Sequence, residues 1–273
     1  MELHTFGKKW SILTLSLVLS GISFSLVRAE NALTADEIIS KAVARSQDSQ
    51  VRERPASYSY TKLTLTEELD AAGNIKDRKE RMYQVMLQAG ATRLKLISVN
   101  GSPPTEAELK LQSDNETNAR RLLGPAKSGK GENRENFLTP DLVAHYSFKL
   151  NGQVDLNGRP AYEIAFAPKN PDAPIHHLAD RLLNRISGTI CIDVQEYEIA
   201  KAEVRLGSEV TLLGGVIGSL RKMAYTITRT RLPDGIWLNT SSVGDFEGRK
   251  LIDSLRIKTK SHSSNFRVMM LPS

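Results

Sequence analysis

Between Ile186 and Leu206 apolar and polar positions alternate along the chain. Ile190, Ile192 and Val194 interleave with Cys191 and Asp193. Ile199, Ala202, Val204 and Leu206 interleave with Lys201, Glu203 and Arg205. A period near two with polar residues between marks half-buried antiparallel strands. The Asp193–Tyr197 link is short enough for a hairpin, so the two runs pair, with one apolar and one wet face. The same pattern recurs at 58–68, 75–88, 93–100, 145–152, 154–166, 223–232, 236–246 and 251–259. Turn residues separate these runs at Ala71–Asn74, Gly90, Asn157-Gly158, Pro233-Asp234-Gly235 and Gly248, and Asn265–Val268 reads as a short tail.

Helical spacing is confined to a few segments. Thr34 caps a helix running to about Ser46, with Glu37 completing a capping box and Ile38, Ile39, Ala42 and Val43 on one stripe. Thr105 and Glu108 open a second helix, to Leu123, whose apolar positions are thin. Pro140–Ala144 and His176–Leu183 suggest short helical turns, and 124–136 is a polar loop. Val210–Leu220 is apolar and punctuated by glycine. It reads either as a core strand with a bulge or as an exposed lip that meets a lipid or a partner. The expected architecture is mainly β (α+β): long strands in a strongly curved antiparallel sheet, an unclosed barrel covered by a few helices.

Of the 273 residues, the first 29 read as a secretory signal. Lys8 and Lys9 precede a mainly apolar core from Ser11 to Leu26, and Val27-Arg28-Ala29 offers a cleavage site before Glu30. That core is interrupted by serines and is shorter than the roughly 20 apolar residues of a spanning helix, which disfavours the alternative of an uncleaved anchor. The expectation is therefore export to the periplasm with cleavage after Ala29, leaving 30–273 as one domain. No cysteine follows the cleavage site to carry acyl chains. Cys191 is the only cysteine, so no intrachain disulfide is possible, and on a strand it reads as an inert buried thiol.

The formal charge of +6 falls to about +4 without the signal region. No basic cluster is interleaved with stacking aromatics, so nucleic acid is not an expected partner. Gly124–Gly131 resembles a phosphate-binding loop, but Gly131 stands where Ser or Thr must hold the metal, and a helix precedes it instead of a strand. His176 and Asp180 share a helical spacing yet fall short of the three or four ligands of a zinc site. There is no G-x-S-x-G elbow, no paired-cysteine signature and no nucleotide turn. The expectation is no enzyme, no catalytic residue, no metal and no cofactor, with a hydrolase of dispersed site as a minor alternative.

The order of parts then matters: the T-A-D-E-I-I helix opening, the long meander, a helix, and the block S-G-T-I-C-I-D-V-Q-E-Y-E-I-A-K-A-E at 187–203. L-P-D-G-I-W-L at 232–238, Gly248-Arg249 and a last strand close the chain. Over most of 33–268 this resembles the LolA/LolB-like superfamily, and in particular its outer-membrane lipoprotein-sorting relatives. Cys191 stands where relatives often carry an aromatic, and loop 124–136 is longer than in the standard carriers. The resemblance implies a half-barrel whose apolar cavity, between sheet and helices, takes lipid or lipoprotein acyl chains. It also implies a soluble monomeric carrier that works with an inner-membrane transporter and an outer-membrane receptor. The residues expected to line the cavity are Tyr83, Val85, Leu94, Leu96, Tyr162, Ile164, Phe166, Ile190, Ile192, Val204, Leu206 and Trp237. Each buried acyl methylene there is worth roughly 0.8 kcal/mol, so about a dozen carbons would bind without covalent chemistry. The alternative is a non-enzymatic sensor or scaffold of the same fold that binds a protein partner through a sheet edge or the Val210–Leu220 lip.

Overall fold

The long alternating runs pair into one antiparallel sheet in the computed structural model, which describes residues 33–48, 58–88, 91–123, 138–174, 178–212, 218–250 and 253–269. The strands are β1 (Tyr58–Leu69), β2 (Ile75–Gln88), β3 (Ala91–Val99), β4 (Tyr146–Leu156), β5 (Arg159–Pro168), β6 (Ile186–Asp193) and β7 (Ile199–Leu206). They continue with β8 (Val210–Leu212), β9 (Gly218–Arg231), β10 (Trp237–Lys250) and β11 (Asp253–Val268). Spatial order is β3-β2-β1-β11-β10-β9-β7-β6-β5-β4, with β8 added beside β9. β3 and β4 do not pair, so the sheet is not closed into a barrel. The signal region, loop 124–136, His176 and His177, and the middle of the Val210–Leu220 segment lie outside the described residues.

Four helices are seen among the described residues: α1 (Ala35–Gln47), α2 (Glu106–Leu123), α3 (Pro140–His145) and α4 (Leu178–Leu183). The two capping boxes read from sequence form as expected. Thr34 Oγ1 accepts from Glu37 N while Glu37 Oε2 accepts from Thr34 N at 2.8 Å. Thr105 and Glu108 repeat the arrangement at the start of α2. α1 lays Ile38, Ile39 and Ala42 on Ile164, Ile190, Ile192, Ile199 and Ala202, and this is the main core. α2 rests on the outer edge of β3, where Gln112 Nε2 donates to the Leu94 carbonyl at 2.8 Å. It also touches α4, which adjoins β8. The exposed backbone of an edge strand is thus partly capped by a helix.

Two strand boundaries depart from the sequence reading. Gly248 is no turn: it pairs with Leu220 and Leu255, and the pairing continues to Lys250 and Asp253. A Cβ at Gly248 would overlap the Ser219 carbonyl oxygen, so the glycine serves close strand approach. Asn265–Val268 is no tail either. It is the end of β11, which runs 16 residues and absorbs an irregularity at Asn265, whose φ is 56°.

Candidate functional site

Residues directly opposite in an antiparallel pair share a face, so the register fixes which side chains line each side of the sheet. The face that α1 packs on is called inner here. One row of it runs Ile190, Ala202, Ile227, Ser242, Ser261, Thr64, Arg81 across seven strands. The next runs Gly188, Val204, Tyr225, Gly244, Thr259, Thr66, Lys79. In these two rows the inner face is apolar on β6, β7 and β9 and carries glycine, hydroxyls or cations from β10 to β2, while Phe246 on β10 and Ile257 on β11 keep it apolar one row further. The apolar face expected from the β6–β7 hairpin does not extend uniformly across the sheet.

The expected lining residues divide accordingly. Ile164, Ile190 and Ile192 are 0–6% exposed and covered by α1, with Tyr162 and Phe166 packed at their margin. Val204 and Leu206 share the inner face but lie outside that core. Val85, 1% exposed, belongs to a second cluster with Tyr58, Tyr60, Ile236 and Leu238. Leu96 is buried beside half-buried Tyr83, its partner across β2 and β3, whereas Leu94 is 38% exposed on the same edge strand.

Beyond α1 the inner face keeps an open apolar stripe. Val204, Leu206, Met223, Tyr225, Phe246 and Ile257 are half-buried and belong to neither core cluster among the described residues. Two glycines lower its floor. The Phe166 ring lies 3.1 Å from where a Gly188 Cβ would stand, and the Phe246 ring 2.5 Å from that of Gly244. Each aromatic ring thus covers a glycine that leaves the strand bare. Tyr225 and Phe246 stand with ring centroids 6.1 Å apart. A separate hollow of about 240 Å³ at the Gly188 notch is lined by Phe166, Ser187, Gly188, Thr189, Glu203 and Arg205. Its lining is mostly polar and it is smaller than the roughly 300–1,000 Å³ of ligand pockets, so the stripe is the better seat for a hydrocarbon.

Trp237 stands among charged side chains. Its Nε1 donates to Glu196 Oε2 at 2.8 Å, and Arg159 lies over its ring at 5.6 Å. It belongs to an ionic cluster at the end of the β6–β7 hairpin. Asp193, 1% exposed, accepts Arg159 Nε and Nη2 at 2.8 and 3.0 Å. Its Oδ1 also accepts the backbone N–H of Gln195 and Glu196, which holds the turn in which Tyr197 takes φ 55°. Glu196 meets Arg231 Nε at 2.5 Å, and Glu198 meets Arg229 Nη1 at 2.8 Å. From α1, Arg45 approaches Glu198 at 3.5 Å, and Lys41 Nζ donates to the Tyr197 hydroxyl at 3.2 Å. The hairpin-end position of Asp193 was legible in sequence. Its partner Arg159, 34 residues away, was not.

Cys191 is a free, buried thiol whose pKa burial pushes up, with the Glu163 carboxylate adding to the effect. Tyr146 stands edge-on to Phe166 at 5.3 Å, and its hydroxyl donates to the Leu183 carbonyl at 2.9 Å. Burial pushes its pKa from 10.0 to about 12. The folded value lies above the unfolded one, so this contribution to stability is complete below pH 10 and is lost as pH rises toward 12. In an alkaline titration followed by tyrosinate absorbance, Tyr146→Phe should remove one phenol from the late step near pH 12. An unchanged late step in that variant would refute the assignment. No group of three His, Cys, Asp or Glu able to hold a metal occurs among the described residues, and no described helix is long and apolar enough to cross a membrane.

Fold and site together define an open antiparallel half-barrel with one helix seated on half of its inner face. No family model and no curated protein matches the chain. Among solved structures it is similar to a LolA superfamily protein from Nitrosomonas europaea. The identity is 13%, the TM-score is 0.37, and 88% of this chain and 96% of that one are covered. It is also similar to an outer membrane lipoprotein-sorting protein domain from Vibrio parahaemolyticus, at 13% identity and TM-score 0.32, covering 84% and 93%. MucB in the MucA/MucB complex of Pseudomonas aeruginosa gives 10% identity and TM-score 0.27, covering 85% and 99%. The first two carry the names of the family that the sequence resembles.

Proposed function

We propose that residues 30–273 form a non-enzymatic periplasmic carrier that holds the acyl chain of a lipid or lipoprotein on the inner face of the open sheet and passes it toward the outer membrane. The observation behind this reading is the half-buried stripe of Val204, Leu206, Met223, Tyr225, Phe246 and Ile257 beyond the reach of α1. Apolar surface of that extent on a concave sheet gains roughly 0.8 kcal/mol for each methylene it takes from water. The expected cavity lining narrows to Val204, Leu206, Tyr162 and Phe166 from the earlier set, with Met223, Tyr225, Phe246 and Ile257 added. Ile164, Ile190 and Ile192 lie in the cluster under α1, which supports treating them as core in this reading.

A second reading, a module that binds a protein partner, draws on β4, which among the described residues pairs only with β5 and so offers a strand edge for addition. Native mass spectrometry of protein purified from a membrane-containing lysate separates the two. The carrier should retain an extractable mass of an acylated molecule, and Val204→Glu should abolish it. An apo mass, with no uptake of a fluorescent fatty acid, would overturn the carrier reading. A stoichiometric protein partner in that apo sample would favour the module.

A further inference from the structure

The apolar row nearest the open end of the inner face crosses the strands instead of following one. Register sets Ile186 opposite Leu206, and Met223 opposite Phe246, which in turn faces Ile257. The pairing of Arg205 with Ala224 brings Leu206 alongside Met223. One row of side chains thus spans β6, β7, β9, β10 and β11. All five are half-buried, and among the described residues none belongs to either core cluster. Along β10 and β11 the apolar surface is shorter. On this face β10 reaches Ser242 two positions past Gly244, and β11 reaches Thr259 directly after Ile257.

The row stops at β1. There Ile257 faces Glu68, and Glu68 faces Asp77 on β2. Each carboxylate is held by a lysine, Glu68 by Lys76 at 3.0 Å and Asp77 by Lys79 at 3.2 Å. Hydrocarbon laid over these ion pairs would strip water from them without supplying a hydrogen bond in return. At the other end Ile186 is the first residue of β6. Four strand spacings of about 4.8 Å separate it from Ile257, a span of roughly 19 Å. A staggered alkyl chain advances about 1.3 Å per carbon, as its C–C bond length and tetrahedral angles dictate. The row therefore matches an extended chain of about 15 carbons.

We infer that this row measures the guest, seating one straight alkyl chain of about 15 carbons between Ile186 and the stop at Glu68. This rests on the carrier reading and adds the class of chain to it. Carbons beyond that length meet charge or water and add no affinity. Glu68 is the residue that sets the limit.

The test uses the full chain and lysophosphocholines of every even chain length from 8 to 20 carbons. Each is titrated, below its critical micelle concentration, by displacement of a fluorescent fatty acid. Affinity should rise roughly 4-fold for each added methylene up to about 15 carbons and stay level beyond. Ile257→Asn shortens the row by one strand, so the break should fall to about 11 carbons with the shorter chains unaltered. Glu68→Leu lengthens it by one strand, so the break should rise to about 19. Should the Ile257 variant fold poorly, the Glu68 variant and the unaltered chain decide. An affinity that climbs evenly to 20 carbons, or a break that a folded variant leaves in place, overturns the measuring row and leaves the carrier intact. Binding of no chain length overturns both.

Discussion

Asp193→Ala should lower stability by about 3 kcal/mol, near the bottom of the range for removing one partner of a buried ion pair. Three losses combine. Arg159 loses two hydrogen bonds, the Gln195 and Glu196 N–H groups lose their acceptor, and a side chain 1% exposed leaves a void. The effect stays near the low end because Arg159 is itself 31% exposed and remains within 3.9 Å of Glu196. Asp193→Asn keeps an oxygen in the turn and forfeits the charge, so it should cost about half as much, in line with a charged against a neutral hydrogen bond. Urea midpoints at constant m-value measure both. Equal losses in the two variants would show that the turn contacts contribute nothing.

Gly188→Val is expected to move against β-propensity. Valine in place of glycine within a strand ordinarily gains up to about 1 kcal/mol. Here a Cβ would overlap the Glu203 carbonyl oxygen and sit 2.9 Å from its carbon, both backbone atoms of the neighbouring strand, and 3.1 Å from Phe166. β6 and β7 would have to part, so the substitution should destabilise by about 3 kcal/mol, the upper end of overpacking costs. The same separation shifts Val204, the residue opposite Gly188, and should weaken fatty-acid uptake by more than about 10-fold, the factor that about 1.4 kcal/mol of lost binding produces. An unchanged melting temperature in the Gly188→Val variant would show that the strand approach is not tight.

Both effects arise where short-range reading of the chain was incomplete. Gly248 looks like a turn because glycine usually punctuates strands, but its role is to admit the Ser219 carbonyl of the adjacent strand. Trp237 opens a strand, and its neighbours in sequence give no sign of an ionic partner. Its indole N–H meets Glu196, which the β6–β7 hairpin brings alongside from 41 residues away. Ser242, Ser261 and Thr64 carry no apolar signal within their own strands. Only the register aligns them on the face that α1 covers further along.

The chain by itself determined what depends on neighbours a few residues apart. These are the Thr34 and Thr105 capping boxes, the period-two strands, the Asp193–Tyr197 and Pro233–Gly235 turns and the mainly β class. In each the interacting groups lie within a few covalent steps, so residue type and spacing suffice. The tertiary structure decided which strands adjoin, where the sheet stays open, and which part of its inner face is apolar. It also decided that Arg159, Glu196, Arg229 and Trp237 form one cluster. Those outcomes depend on groups brought together from distant parts of the chain, where strand register and the seating of α1 set the partners and local alternation carries no record of them.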